Sequence, residues 1–67
     1  FERLRALRLE ISQESSIPPY VVFSDKTLKE MAEKLPRTKE AMLDISGVGE
    51  VKFERYGEAF LELIERL

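Results

Sequence analysis

A tyrosine that follows two prolines is the residue of this sequence best suited to bind a ligand. Tyr20 ends the stretch Ile17-Pro18-Pro19-Tyr20. Proline fixes its own φ angle and restricts the residue before it, so the two prolines would hold the ring of Tyr20 in a defined position. An exposed aromatic ring among cationic side chains is a platform on which an unpaired nucleobase stacks. The alternative is a tyrosine buried in the core with its hydroxyl group bonded to a carbonyl oxygen, and the residues alone favour neither.

Basic side chains on the predicted helices can supply the charge that such a platform needs. Arg5 and Arg8 are three residues apart and are therefore neighbours on one flank of a helix. Their ordinary role would be to solvate the helix surface. The residues that we predict to bind nucleic acid are Tyr20, Arg5, Arg8, Lys26, Lys52 and Arg55.

The glycine-containing stretch Ile45-Ser46-Gly47-Val48-Gly49 is a second candidate site. Two glycines in a turn between helices can present backbone N–H groups to a phosphate, as in a helix-hairpin-helix motif. Lys52 and Arg55 would add positive charge, although acidic neighbours weaken it. A plain tight connection in which Val48 fills the core explains the same residues at least as well.

Catalytic chemistry is the function class that the composition argues against. The chain has no histidine and no cysteine, and it has no glycine-rich phosphate loop followed by Lys-Ser or Lys-Thr. Its carboxylates fall on predicted exposed faces without clustering. We therefore predict a soluble, cytoplasmic binding module with no catalytic residues, no metal and no cofactor, and no segment that enters a membrane.

The charge distribution leaves room for a nucleic-acid partner in spite of a net charge of -2. Residues 1–39 hold eight basic and six acidic side chains, whereas residues 40–67 hold three basic and seven acidic ones. A local positive face on an acidic body is therefore possible, because partners respond to the local field of a surface.

Hydrophobic spacing predicts helices throughout the chain. An amphipathic helix should run from Phe1 to about Ser15, with the core stripe Phe1, Leu4, Leu7 and Ile11. The prolines predict a buried, non-helical loop over residues 17–23.

Ser24 is the predicted N-cap of the second long helix, which should end before Pro36. Phe23 and Leu28 have the spacing of a hydrophobic staple across this cap.

The second half predicts two further helical regions. Thr38 should cap a short helix that continues through Ile45, and a last helical pattern extends from Glu50 to Leu67. Gly57 either permits close helix packing or divides this last segment into two helices, and we favour the division. The predicted fold is a single all-α domain over residues 1–67, a compact orthogonal bundle of about five short helices, excised from a longer chain.

The order of these features resembles that of the HRDC domain, which occurs at the C-terminal end of RecQ-family DNA helicases and in ribonuclease D. The resemblance covers nearly all 67 residues. It is carried jointly by Ile17-Pro18-Pro19-Tyr20-Val21-Val22-Phe23-Ser24-Asp25-Lys26-Thr27-Leu28, Leu35-Pro36, Ile45-Ser46-Gly47-Val48-Gly49 and Phe53-Glu54-Arg55-Tyr56-Gly57. The Pro-Pro-Tyr-Val-Val-Phe sequence is most similar to bacterial RecQ.

The resemblance implies an accessory module of an ATP-dependent helicase that binds single-stranded, junction or partly duplex DNA. Its partners would be that DNA and the helicase core of the parent chain, and it would act as a monomer in the nucleoid. Tyr20 matches a tyrosine that bacterial relatives use for single-strand binding. The alternatives are a protein-interaction or intramolecular docking domain with little DNA affinity, or an RNA-positioning domain of a ribonuclease D-like exonuclease.

Overall fold

The computed structural model describes all residues from Phe1 to Leu67, and its regular structure is entirely helical. Four helices precede a longer C-terminal helix: α1 (Glu2–Ser15), α2 (Pro19–Val22), α3 (Asp25–Lys34) and α4 (Lys39–Leu43). The C-terminal helix is a continuous run of Glu50–Lys52, a π-helical turn at Phe53–Gly57, and Glu58–Glu65. The prediction of an all-helical bundle of about five helices is confirmed. None of the helices combines the length and the apolar character needed to cross a membrane.

The predicted helix caps are confirmed by their hydrogen bonds. The Ser24 hydroxyl accepts a hydrogen bond from the Thr27 backbone N–H at 3.2 Å, and the Thr38 hydroxyl accepts one from the Ala41 N–H at 3.1 Å. Each bond satisfies a donor that the first turn of a helix leaves free. Phe23 and Leu28 are both buried on either side of the Ser24 cap.

The prediction of a non-helical loop over residues 17–23 is wrong, because residues 19–22 form the single turn α2. Pro18 is extended, with φ -62° and ψ 146°, and Pro19 occupies the start of the helix. Proline is well suited to that position, because its fixed φ is helical and the first turn needs no N–H donor from it. The prolines therefore start a helix here.

The core holds eleven buried apolar side chains, and α1 contributes to it differently from the predicted stripe. Leu4 is fully buried, but Leu7 and Ile11 are only partly buried and Phe1 is 41% exposed. The other two buried residues of α1 are Arg8 and Ser12, which follow Leu4 at four-residue intervals. The buried face of α1 thus differs from the predicted apolar stripe and includes two polar side chains.

The predicted division of the last segment at Gly57 is also wrong. Gly57 has helical angles, φ -59° and ψ -37°, and the helix continues through it. A methyl group at Gly57 would lie within 2.7 Å of Cγ of Phe53 and within 2.9 Å of its Cε2. The close approach of the Phe53 side chain, four residues earlier on the same helix, accounts for this glycine. This is a contact within one helix and not the packing of two helices.

We expect Gly57→Ala to destabilise the fold, although helix propensity alone predicts a gain of about 1 kcal/mol. The new methyl group would overlap the ring of Phe53, which is 5% exposed. Overpacking of this kind costs about 1 to 3 kcal/mol. Urea unfolding followed by circular dichroism measures the change.

Gly49→Ser is the matched control for this substitution. A Cβ atom at Gly49 meets no atom within 4 Å, and a serine there would supply the cap that the C-terminal helix lacks. It should leave the free energy of unfolding unchanged or raise it. A stabilised Gly57→Ala variant would show that the Phe53 contact does not constrain residue 57.

Candidate nucleic-acid interface

Tyr20 lies at the surface, on the single turn α2. Its side chain is 70% exposed, the highest value among the large hydrophobic residues of the chain. Pro19, the residue before it, is half-buried, and Val22, two residues after it, is fully buried. The structure therefore displays the ring, which is the first of the two alternatives that the sequence left open, and its role in binding stays a prediction.

Phe23 anchors the turn that carries Tyr20. Its ring is 1% exposed and packs edge-to-face on two rings of the C-terminal helix. The ring centroids are 6.1 Å from Tyr56 and 5.0 Å from Phe60, with interplanar angles of 77° and 83°. Such pairs stabilise a defined geometry beyond the area they bury. Tyr20 is thus attached to a fixed part of the core.

Arg8 is not on the exposed flank where the sequence placed it. The residue is only 9% exposed, and its Nη1 donates a hydrogen bond to the backbone oxygen of Phe23 at 3.0 Å. The same nitrogen lies 2.7 Å from Oδ1 of Asp25. The face of α1 that carries Leu4 therefore meets the polar backbone between α2 and α3, which requires a donor from the helix. The charged group of Arg8 therefore interacts with Phe23 and Asp25 of the same chain.

Arg5 remains at the surface. Its side chain is about half exposed, with 52% of its area accessible, and it forms an ion pair with Glu2 at 3.3 Å. It contributes to a groove of about 320 Å³ between α1 and the start of α2. The groove is lined by Glu2, Arg5, Ala6, Arg8, Leu9 and Pro19. Arg5 and the turn of Tyr20 thus border the same depression.

The carboxyl group of Asp25 reports the positive charge around the junction of α2 and α3. The hydrogen bond from Arg8 is the main cause that lowers the pKa of Asp25, followed by the charge of Arg8. Arg5 and Lys29 lower this pKa further through their charges. Lys26 is exposed one residue along α3. Cations from α1 and α3 therefore surround this one carboxylate.

The two basic residues predicted on the C-terminal helix differ in environment. Lys52 is half-buried, and its Nζ lies 5.9 Å from the ring centroid of Phe23, in a cation–π geometry. Arg55 is exposed. Lys52 thus approaches Phe23, the residue that follows α2. Arg55 lies three positions after Lys52 on the same helix.

The glycine turn is closed by contacts within the chain. Gly47 has φ +89°, as expected for a glycine after a helix end, and Val48 is 5% exposed. The backbone N–H of Ser46 donates to Oε2 of Glu30 at 3.3 Å, and the Thr27 hydroxyl donates to the Ser46 oxygen at 2.8 Å. The N–H of Ser46 is thus already bound to a carboxylate, and the negative charge of Glu30 beside this turn disfavours a phosphate there, which favours the plain connection.

The sequence did not indicate three of the residues that form the contacts around Arg8 and Ser46. They are Asp25, Thr27 and Glu30, which pair with partners 15 or more residues away. Hydrogen bonds from Lys34 and from the Ser46 backbone lower the pKa of Glu30, in that order. The only signal for the Arg8 pair was its four-residue spacing from Leu4, which puts both on one helix face. No group of three or more acidic residues is arranged to hold a metal ion.

Comparisons with known proteins agree on one family. A protein-family model described as HRDC domain matches residues 1–64. The ATP-dependent DNA helicase RecQ of Haemophilus influenzae is 51% identical over 65 residues, which are 97% of this chain and 10% of that protein. The RecQ helicase of Bacillus subtilis is 54% identical over 65 residues, again 97% of this chain and 11% of that protein. The chain thus spans about a tenth of the curated relatives it matches.

A solved structure gives the same result for the fold. The structure described as D. radiodurans RecQ HRDC domain 3 is 38% identical to this chain and superposes with a TM-score of 0.92. The alignment covers 97% of this chain and 86% of that chain. The all-helical arrangement is therefore that of a structurally characterised relative.

Acidification should test the Arg8–Asp25 pair. Because the folded pKa of Asp25 lies below its ordinary value of 3.8, the pair stabilises the fold above that value, and this contribution is lost as the pH falls through the folded pKa. We expect Asp25→Asn to be less stable near neutral pH and to lose less stability on acidification than the unmodified chain. Melting temperatures between about pH 7 and about pH 2 measure both effects.

Glu14→Gln is the control, because Glu14 is an exposed carboxylate at the far end of α1. It should keep the acid dependence of the unmodified chain. If Asp25→Asn had the same melting temperature as the unmodified chain at every pH, the ion pair would contribute nothing to folding.

Proposed function

The chain belongs to the HRDC domain family, and from this premise we propose that it is a non-catalytic accessory module of a RecQ-type helicase that binds single-stranded or partly duplex DNA. The relatives that share its sequence are named as ATP-dependent DNA helicases. In this proposal the motor belongs to the parent chain, and the module directs it to recombination and repair intermediates. The module acts as a monomer and uses no cofactor.

The observation that carries the proposal is the exposed ring of Tyr20 on a rigidly anchored turn. A ring that is 70% accessible presents a π face to solvent, and bases of any sequence can stack on such a face. Because α2 is already ordered by Phe23, binding would not have to order it. This favours an unpaired base as the ligand, since bases within a duplex are stacked on one another.

Cations from three helices supply the electrostatic part of the proposed interface. Arg5 borders the groove beside Pro19, and Lys26 is exposed at the start of α3. Lys52 and Arg55 lie on the C-terminal helix, and Lys52 reaches the ring of Phe23. In the proposal these side chains pair with phosphates along the strand while Tyr20 stacks on a base. With a net charge of -2, binding should be weak and strongly dependent on salt.

A docking function is the second candidate, and one surface favours it. Between α1 and the C-terminal helix lies a groove of about 410 Å³, half of whose lining residues are apolar, including Leu7 and Leu63. Leu9, on another face of α1, is 48% exposed. A module that worked only by docking to protein would bind oligonucleotides no more tightly at low salt.

Tyr20→Ala should weaken binding to a short single-stranded oligonucleotide by about 1 to 3 kcal/mol, which is the contribution of stacking on one ring. The fold should be retained, because the ring is exposed. Fluorescence anisotropy with a labelled oligonucleotide measures the affinity, and circular dichroism checks the helix content. Tyr20→Phe keeps the stacking face and should bind like the unmodified chain. Equal affinities for the alanine variant and the unmodified chain would remove Tyr20 from the interface.

Lys26→Gln should reduce the salt dependence of binding. Each phosphate contact to a single strand adds about 0.7 to the slope of log affinity against log salt, so the variant should lose about that amount. Lys34→Gln is the matched control, because Lys34 lies on the same helix but is paired with Glu30 at 3.1 Å. Affinities at several salt concentrations give the slopes. A slope near zero for the unmodified chain would favour the docking function.

A further inference from the structure

Arg8 and Asp25 connect three elements through a single guanidinium group. Phe23 is the residue that follows α2 and Asp25 begins α3, with the cap residue Ser24 between them. Nη1 of Arg8 on α1 bonds to acceptors on both sides of Ser24, at 3.0 Å and 2.7 Å. The contact therefore fixes the position of the α2–α3 junction relative to α1.

The position of Tyr20 depends on this junction. A helix of four residues is too short to be stable alone, so its orientation is set by what holds its ends. The Phe23 side chain holds the C-terminal end of α2 against the C-terminal helix, and Arg8 holds the backbone of the same residue against α1. Tyr20 precedes Phe23 by three residues, so the contacts that hold Phe23 also bear on the position of Tyr20.

Burial of Arg8 carries a cost that an apolar residue would avoid. Its Nε is buried without a hydrogen-bond acceptor. An unsatisfied buried donor is unfavourable, and well-packed apolar side chains often replace buried ion pairs without loss of stability. An apolar residue, however, could not bind the Phe23 oxygen. The gain from arginine at this position is therefore a defined geometry at the α2–α3 junction.

We propose that Arg8 and Asp25 form a positioning clamp for Tyr20, and that Arg8 contributes to DNA binding through the orientation of α2 and not through a phosphate contact. The proposal rests on the proposed function, because it concerns how the DNA-binding residue is held. In this proposal Arg8 and Asp25 both favour the binding of DNA, although their charges are opposite. Simple charge counting assigns them opposite effects.

A double-mutant cycle tests the route by which Arg8 acts. Arg8→Gln should lower the affinity for single-stranded DNA by no more than Tyr20→Ala does, at most about 150-fold. In the Tyr20→Ala background it should change affinity by less than about twofold, because the residue that it positions is already gone. The salt slope should stay that of the unmodified chain, whereas loss of a phosphate contact would lower it by about 0.7.

A second pair of variants tests the clamp independently, through the sign of the change in DNA affinity. This test can be used even if Arg8→Gln does not fold. Asp25 and Glu2 are both exposed acids in the first turn of a helix, and each is paired with an arginine. Electrostatics alone predicts that Asp25→Ala and Glu2→Ala both raise affinity, since each removes a negative charge. The clamp predicts that Glu2→Ala raises or keeps the affinity and that Asp25→Ala lowers it.

The outcomes separate this inference from the function on which it rests. If the unmodified chain does not bind single-stranded DNA, the proposed function fails. If it binds but Tyr20→Ala has no effect on affinity, Tyr20 is not in the interface and the clamp is overturned while DNA binding stands. If Tyr20→Ala weakens binding but Asp25→Ala strengthens it, or Arg8→Gln lowers the salt slope, the clamp is overturned and Arg8 is a phosphate ligand. Circular dichroism of each variant confirms that the compared proteins are folded.

Discussion

The arrangement of this domain depends on the burial of Phe23. Its ring packs against Tyr56 and Phe60 of the C-terminal helix, its face lies near Lys52, and its backbone oxygen accepts the hydrogen bond of Arg8. One residue thus joins α1, α2 and the C-terminal helix. Because α2 is a single turn with few hydrogen bonds of its own, this attachment is what gives the exposed ring of Tyr20 a fixed position.

The sequence predicted the features that depend on residues a few positions apart. The caps at Ser24 and Thr38 belong to this class. The features it mispredicted depend on distant partners. The two prolines were compatible with a loop or with a helix start, and the buried Val22 and Phe23 decide for the helix. Gly57 was compatible with a break or with close helix packing, and the structure instead shows a continuous helix in which the Phe53 ring of the preceding turn leaves room only for glycine.

The candidate site shows the same limit. The residues left Tyr20 open between an exposed ring and a buried one, and the fold decides for exposure. An arginine on a helix flank is ordinarily solvated, and only the fold reveals that the Phe23 oxygen lies opposite Arg8. Periodicity did contain one usable sign, since Leu4, Arg8 and Ser12 recur at four-residue intervals and share the buried face. Sequence reasoning gave more weight to the apolar residues Leu7 and Ile11, which are partly buried.

The acidic residues of the chain restrict which face of the domain a nucleic acid could contact. Glu54, Glu58, Glu62 and Glu65 are all exposed on the C-terminal helix, and Glu30 occupies the Ser46 N–H at the glycine turn. In the proposed binding mode these carboxylates would repel a phosphate backbone from the faces they occupy, and the strand would follow the cations Arg5, Lys26, Lys52 and Arg55. Like charges placed against a wrong arrangement are a common source of specificity. A net charge of -2 is therefore compatible with a DNA-binding face, because a strand responds to the local field along its path and not to the total charge.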